Sequence, residues 1–314
     1  MRVDAVVIGR NEGARLEACL TSLIPQVARV VYVDSGSEDG SVALAAAMGV
    51  EVVALDIARP FTAARARNAG AAALGPGADC IQFVDGDCVV ARDWVATGLA
   101  ALQEDADLAL VCGRRRELHP ETSVYNRLCD IEWDTPTGEA KACGGDALMR
   151  RVAFDEAGGF DAGLIAGEEP DLCLRLRRAG WRILRLDAEM TGHDAAMTTF
   201  GQWWRRTRRA GHAYAEAAMR HGAGPERHWV AETWRALIWG FVLPLAVLLA
   251  LMISGWAALL WLIYPAQVIR LWRRQGSLEW AVFTVLGRFA EAQGVLGYWL
   301  GRITGRGARL IEYK

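Results

Sequence analysis

Ile81-Gln82-Phe83-Val84-Asp85-Gly86-Asp87 is an apolar run that stops in two carboxylates one residue apart. The run reads as a buried strand. Side chains on a strand alternate between faces, so Asp85 and Asp87 leave the backbone on the same side if strand geometry persists through Gly86. Two carboxylates so placed repel unless a cation lies between them. A hard divalent metal with oxygen ligands supplies that charge, and its natural companion is a diphosphate. Taken alone, the tripeptide suits a solvated Asp-Gly turn equally well.

The neighbouring segments weigh towards the metal. Ala5-Val6-Val7-Ile8 is a short buried strand ending at Gly9-Arg10-Asn11-Glu12, and Leu16, Cys19, Leu20 and Leu23 then recur at helical spacing until Pro25. Val30-Val31-Tyr32-Val33 is a second strand, ending in the polar stretch from Asp34 to Ser41. An alanine-rich helix over 41–48, a strand over 51–54 and a helix over 63–74 carrying Arg65, Arg67 and Asn68 lead to the strand that ends at Asp85. Strand and helix alternating in this way predict an α/β fold with a mostly parallel sheet and right-handed crossovers. Ligands gather at the carboxyl ends of such strands. Three polar clusters at equivalent strand ends therefore form one site: Arg10-Asn11-Glu12, Asp34 to Asp39, and Asp85-Gly86-Asp87.

Further along, Gly167-Glu168-Glu169-Pro170-Asp171 precedes a helix over 172–179. Acidic residues and proline suit a helix N-terminus, and capping accounts for Asp171. Two adjacent glutamates exceed what capping needs, so one of them is free for chemistry.

The charge is unevenly spread. Residues 1–199 carry 20 Lys and Arg against 31 Asp and Glu, while residues 200–314 carry 15 against 6. The acidic first part argues against nucleic-acid binding. The basic, apolar, Trp-rich second part suits an anionic membrane surface. The seven cysteines (19, 80, 88, 112, 129, 143 and 173) show no C-x-x-C pair and read as reduced thiols. Met1-Arg2-Val3-Asp4 leads into too few apolar residues for a signal segment.

From Ala236 to Ile269 there is no Asp, Glu, Lys or Arg. That length predicts a hairpin of two membrane helices, about 236–253 and 256–272, broken at Ser254-Gly255. Arg227 and Arg235 before it, and Arg270, Arg273 and Arg274 after it, orient both ends and the N-terminal domain towards the cytoplasm, at an inner (cytoplasmic) membrane. A third apolar segment, 278–300, lies at the interface, re-enters or spans. A basic tail runs from Arg302 to Lys314. The domains are expected at 1–215, with a linker or interfacial helix over 216–235 and a membrane-associated helical region over 236–314.

The ordered motifs resemble an inverting family 2 glycosyltransferase with the GT-A fold, over about residues 3–215. Val6 to Glu12 resembles that family's opening strand and Asn-Glu turn, and Val33 to Ser41 its nucleotide loop. Ala66-Arg67-Asn68-Ala69-Gly70 is similar to its Arg-Asn-x-Gly helix. Asp85-Gly86-Asp87 stands where its metal-binding Asp-x-Asp is expected, and Gly145-Asp146 and Gly158 to Asp161 resemble its acceptor-side loops. Gly167 to Leu172 resembles its acidic catalytic motif, with Glu168-Glu169 in place of Glu-Asp. Gln202-Trp203-Trp204-Arg205-Arg206 resembles the Gln-x-x-Arg-Trp motif of processive members, with Arg206 in place of the tryptophan.

The resemblance implies hexosyl transfer from a nucleotide-diphosphate sugar, a UDP-sugar being favoured, to an acceptor hydroxyl on a saccharide or a lipid-linked acceptor. Glu169 is the implied general base and Glu168 the runner-up. Asp85 and Asp87, with His193 as an extra ligand, are implied to hold Mg²⁺ or Mn²⁺. Asn11, Glu12, Asp34, Arg67 and Asp85 would line the donor pocket, and Gln202 and Arg205 would close over it. The alternatives are transfer to polyprenyl phosphate and, from other classes, a nucleotidyltransferase or a non-catalytic membrane scaffold. Gly9-Arg10-Asn11-Glu12 is a poor match to a nucleotidyltransferase first loop.

Overall fold

The computed structural model describes residues 1–56, 58–59 and 61–305. The basic tail read to Lys314 lies outside the described residues from 306 onward. Contacts divide the chain into two compact units, residues 1–122 with 129–196, and residues 123–128 with 197–314. The boundary expected at 215 falls inside a helix of the second unit, Phe200–His221.

Among the described residues the first unit holds nine strands: β1 (Val3–Gly9), β2 (Val30–Asp34), β3 (Glu51–Ala54), β4 (Cys80–Asp85), β5 (Cys88–Val90), β6 (Leu108–Glu117), β7 (Gly138–Glu139), β8 (Ala147–Arg150) and β9 (Arg182–His193). They form one sheet in the order β3-β2-β1-β4-β8-β6-β9-β5, with β7 also on β9. The first four strands pair in parallel, as the alternating pattern predicts. The other half is mixed: β8 runs antiparallel to both β4 and β6, while β6 and β9 are parallel. The parallel rule fails there because β8 is reached from a Gly-Gly loop, with no crossover helix directly before it.

Alternation along β1 and β2 divides the core into two layers. Val3, Ala5, Val7, Val30 and Tyr32 pack with Leu16 and Leu20 on one face. Val6, Ile8, Val31 and Val33 pack with Ala64, Ala66 and Phe83 on the other. Strands covered on both faces read as unbroken apolar runs, and each fully buried aliphatic or Phe side chain contributes about 1.5–3 kcal/mol. The Phe83 ring lies edge-on to Phe160 at 5.3 Å and tilted to Phe154 at 5.4 Å.

Register fixes the place of the site. Ile8 pairs with Asp85 across β1 and β4, and Gly9 pairs with Asp34 across β1 and β2. The three polar clusters thus leave the sheet side by side at its carboxyl edge.

The second unit is helical. Phe200–His221 opens with a capping box, in which Thr199 Oγ1 accepts from the Gln202 N–H and the Gln202 side chain accepts from the Thr199 N–H. The third apolar segment is one helix, Leu278–Ile303, packed on Phe200–His221. Their backbones approach closely through glycines: a Cβ on Gly211 would lie 2.0 Å from the Glu291 carbonyl oxygen, and one on Gly294 would lie 2.0 Å from that of Arg208.

A continuous helix, Val230–Leu251, spans 22 residues with mean hydropathy 2.0 over its most apolar window, which is 11% buried. By length and composition it is able to cross a membrane. A π turn at Ile238–Val242 precedes Pro244, which has no N–H to give to Gly240. The second expected span is not one α-helix. Residues Gly255–Leu262 are 3₁₀, and α-helix runs only over Ile263–Gln275. Pro265 is the reason: it cannot bond back to Trp261, so it is accommodated in the first turn of a new helix.

Candidate active site

Asp85 ends β4 and carries two arginines. Arg67 Nη2, from the helix Ala63–Leu74, donates to Asp85 Oδ1 at 2.7 Å, and Arg115 Nη2, from β6, donates to Oδ2 at 3.0 Å. Burial would push the Asp85 carboxyl up, but these two guanidinium groups override it and hold the group well below the usual carboxylate range. Arg67 is buried and also donates from Nη1 to Glu168 Oε1 at 2.8 Å.

Asp146 completes the charge cluster. Its Oδ1 accepts the Asp85 N–H at 3.0 Å, and its Oδ2 accepts from Arg115 Nε at 3.1 Å and Thr191 Oγ1 at 2.8 Å. Gly145 before it is dictated by space: a Cβ there would stand 2.8 Å from Asp85 Oδ2 and 3.0 Å from Arg67 Nη2.

Asp87, beyond the turn, faces His193 at the end of β9. Asp87 Oδ1 and His193 Nε2 are 3.3 Å apart. Two ligands at ~2.1 Å from one octahedral cation lie ~3.0 Å apart, so this pair is close to the spacing a shared ion requires. Burial, reinforced by Arg115, lowers His193 to about 4, so its imidazole is neutral at pH 7 and able to act as a ligand. Its Nδ1 is buried with no hydrogen-bond partner among the described residues, and Trp133 packs edge-on to the ring at 4.8 Å. Ligating atoms of Asp85, Asp87, Cys88 and His193 all lie within 4.8 Å of one another. Oxygen donors with one imidazole fit a divalent ion such as Mn²⁺.

The two glutamates open the helix Glu168–Arg178, which starts earlier than expected because Gly167 takes the left-handed φ of 82° at its N-cap. Glu168 is the one paired with Arg67. Glu169 is buried, and its Oε1 accepts the Cys143 N–H at 2.6 Å and Cys173 Sγ at 2.9 Å. Burial raises the Glu169 carboxyl, opposed by those two donors. Asp171 pairs with Arg175 at 2.8 Å one turn on.

In the nucleotide loop, Asp34 Oδ2 accepts from the N–H groups of Gly36 and Ser37, both at 2.9 Å, and Oδ1 from Tyr32 OH at 3.1 Å. Asn11, at φ 57°, holds the same loop through Ser37 Oγ and the Glu38 N–H. Glu12 pairs with Arg15 at 2.8 Å. Asp34 and Asn11 thus hold the shape of this loop. Asn68 clasps the Gly158-Gly159 turn by two bonds to the Phe160 backbone, at 2.7 and 2.9 Å. Gln202 and Arg205 belong to the second unit, where Gln202 serves the capping box.

Sequence reasoning named neither Arg115 nor Trp133 as part of the site, and saw Asp146 only as part of a loop. Alternation along β6 was the available signal. Arg114 and Arg116 are the more exposed members of the basic run, and Arg115 alternates inward between them.

Two family models match in overlapping ranges. Glycosyl transferase family 2 covers residues 4–158, and glycosyl transferase family group 2 covers residues 135–272. The chain belongs to the family 2 glycosyltransferases. It is 29% identical over 235 residues to a pre-mycofactocin glycosyltransferase of Mycobacterium tuberculosis, an alignment covering 70% of this chain and 48% of that one. It is 29% identical over 193 residues to the succinoglycan biosynthesis protein ExoA of Rhizobium meliloti, covering 56% and 58%. The chain therefore spans about half the length of the curated relatives it matches. The fold is that of the mannosyltransferase PcManGT of Pyrobaculum calidifontis, solved with GDP-Man and Mn²⁺, with a TM-score of 0.67 at 20% identity over 94% of this chain and 87% of that one. The family 2 chain thus has a GT-A type, Rossmann-like mixed sheet followed by C-terminal helices.

Proposed function

We propose that this family 2 chain transfers a glycosyl group from a nucleotide-diphosphate sugar to an acceptor hydroxyl, with inversion, in polysaccharide or glycoconjugate assembly at a membrane. The observation that carries the reading is the convergence of Asp85, Asp146 and Glu168 on Arg67 and Arg115, with Asp87 and His193 beside Asp85 and Glu169 next in sequence to Glu168. A divalent ion held by Asp87 and His193, with Asp85, would neutralise the departing diphosphate. Among the nucleotides, a UDP-sugar is the favoured donor from the family resemblance, while the structural neighbour binds GDP-Man.

Inversion by single displacement needs one base for the acceptor proton. Glu169 is our assignment. Glu168 Oε1 is already engaged by the Arg67 guanidinium. Glu169 is held by neutral donors and burial raises it, which suits it to take a proton. The nucleotide loop held by Asp34 and Asn11, with Glu12, would receive the base and ribose.

An acceptor carried on a lipid is supported by the apolar helix Val230–Leu251, and transfer to polyprenyl phosphate is the second form of the same reading. Basic residues on both flanks of the apolar region favour its two ends on the cytoplasmic side of the inner membrane. The test is donor hydrolysis and transfer measured in membranes across UDP-, GDP-, dTDP- and CMP-sugars. Metal-dependent transfer from one class, absent in Glu169→Gln, is expected. A non-catalytic scaffold would give none.

A further inference from the structure

The first unit holds a second group of ligating side chains. Cys143 and Cys173 bring their Sγ atoms to 3.7 Å, and Cys173 Sγ lies 2.9 Å from Glu169 Oε1. All three ligating atoms lie within 4.8 Å of one another. Glu169 and Cys173 stand four residues apart on one face of the helix Glu168–Arg178, and Cys143 enters from the loop before Gly144. Glu169 and Cys173 are buried, while Cys143 is partly open to solvent and provides the way in.

We propose that Cys143, Cys173 and Glu169 form a site for a borderline-soft divalent cation of the zinc type, separate from the Asp85, Asp87 and His193 group. Two sulfurs at ~2.3 Å from a tetrahedral zinc lie ~3.8 Å apart, and the two thiols already stand at that separation. The two groups sort cations by chemistry. Two carboxylates and one imidazole with a single thiol, Cys88, favour a harder ion than two sulfurs and one carboxylate, which favour zinc. Binding replaces two S–H bonds by two metal–sulfur bonds and releases both protons to solvent, with no change of oxidation state. The consequence for activity rests on the reading of Glu169 as the base. With its carboxylate on zinc, the acceptor proton has no taker, and transfer stops while donor binding continues.

The test is titration of the full, reduced chain with Co²⁺ alone. A thiolate-to-cobalt charge-transfer absorption saturating at one equivalent is expected, bleached by Zn²⁺ and unmoved by excess Mg²⁺. Cys143→Ser and Cys173→Ser should each lose it, and Cys88→Ser, which removes the thiol beside Asp87, should retain it. Cys173 is in the core, so its variant is checked by circular dichroism. Cys143, being partly exposed, supplies the variant that folds if Cys173→Ser does not. No such band, or the same band in the Cys143 variant, overturns the site. A cobalt band that Zn²⁺ bleaches, together with a transfer rate that saturating Zn²⁺ leaves unchanged, retains the site and overturns Glu169 as the base.

Discussion

Arg67 ties Asp85 to Glu168, with 2.7 Å from Nη2 to the strand-end carboxylate and 2.8 Å from Nη1 to the helix-start carboxylate, Arg67 and Glu168 being 101 positions apart in sequence. One buried guanidinium thereby fixes the acidic motif against the Asp-x-Asp turn. Arg67→Ala leaves Asp85 with Arg115 as its arginine partner and takes from Glu168 the guanidinium it is bound to. Removing one member of a buried pair costs about 3–5 kcal/mol. Urea unfolding should show a loss of that order, with Arg67→Lys intermediate because an ammonium lacks the planar fork. A loss below about 1 kcal/mol contradicts this role.

Asp87→Ala should leave the fold intact and remove the metal-dependent part of nucleotide binding. Asp87 lies in the turn between β4 and β5, and its side chain faces His193. Calorimetry with and without Mn²⁺ reads this directly. Unchanged metal dependence would rule Asp87 out as a ligand.

Glu169→Gln should retain donor affinity and lower transfer by about 10²–10⁴-fold, the contribution of a positioned base. Glu168→Gln should disturb donor binding as well, because it weakens the hold on Arg67. If Glu168→Gln alone is the dead variant with normal donor binding, the base is Glu168.

His193 gives the metal-free protein a pH dependence of known sign. Its folded value is about 4 against an ordinary 6.5, so in that window the unfolded chain binds more protons and stability falls as the pH is lowered. The loss from pH 6.5 to 4 is at most about 3 kcal/mol. Melting curves of His193→Gln should be flatter over this window, and identical slopes in both proteins would exclude the effect.

Gly145→Ala should impair both stability and donor binding, since its Cβ would stand 2.8 Å from Asp85 Oδ2. A variant with unchanged melting and affinity would mean that the loop yields freely.

The parallel half of the sheet was legible because β1, β2 and β4 are buried on both faces, as Val6-Val7-Ile8 and Val30 to Val33 are, and because each of the three ends in polar residues. The placement of Asp85 and Asp34 at the same sheet edge, on either side of β1, follows from register alone. The antiparallel insertion of β8 was not legible, since Ala147 to Arg150 carries no mark of direction. Arg115 was hidden in a run of three arginines whose neighbours are more exposed. Length and composition conveyed an apolar hairpin, but Pro265 breaks its second arm, a local backbone effect that hydropathy does not register.

The most direct test of the central claim is the thermal stabilisation of the purified chain by UDP-, GDP-, dTDP- and CMP-sugars, with and without Mn²⁺. The account predicts stabilisation by one nucleotide class that requires the metal and is lost in Asp87→Ala. A folded sample that responds to none of the four with Mn²⁺ present would contradict it.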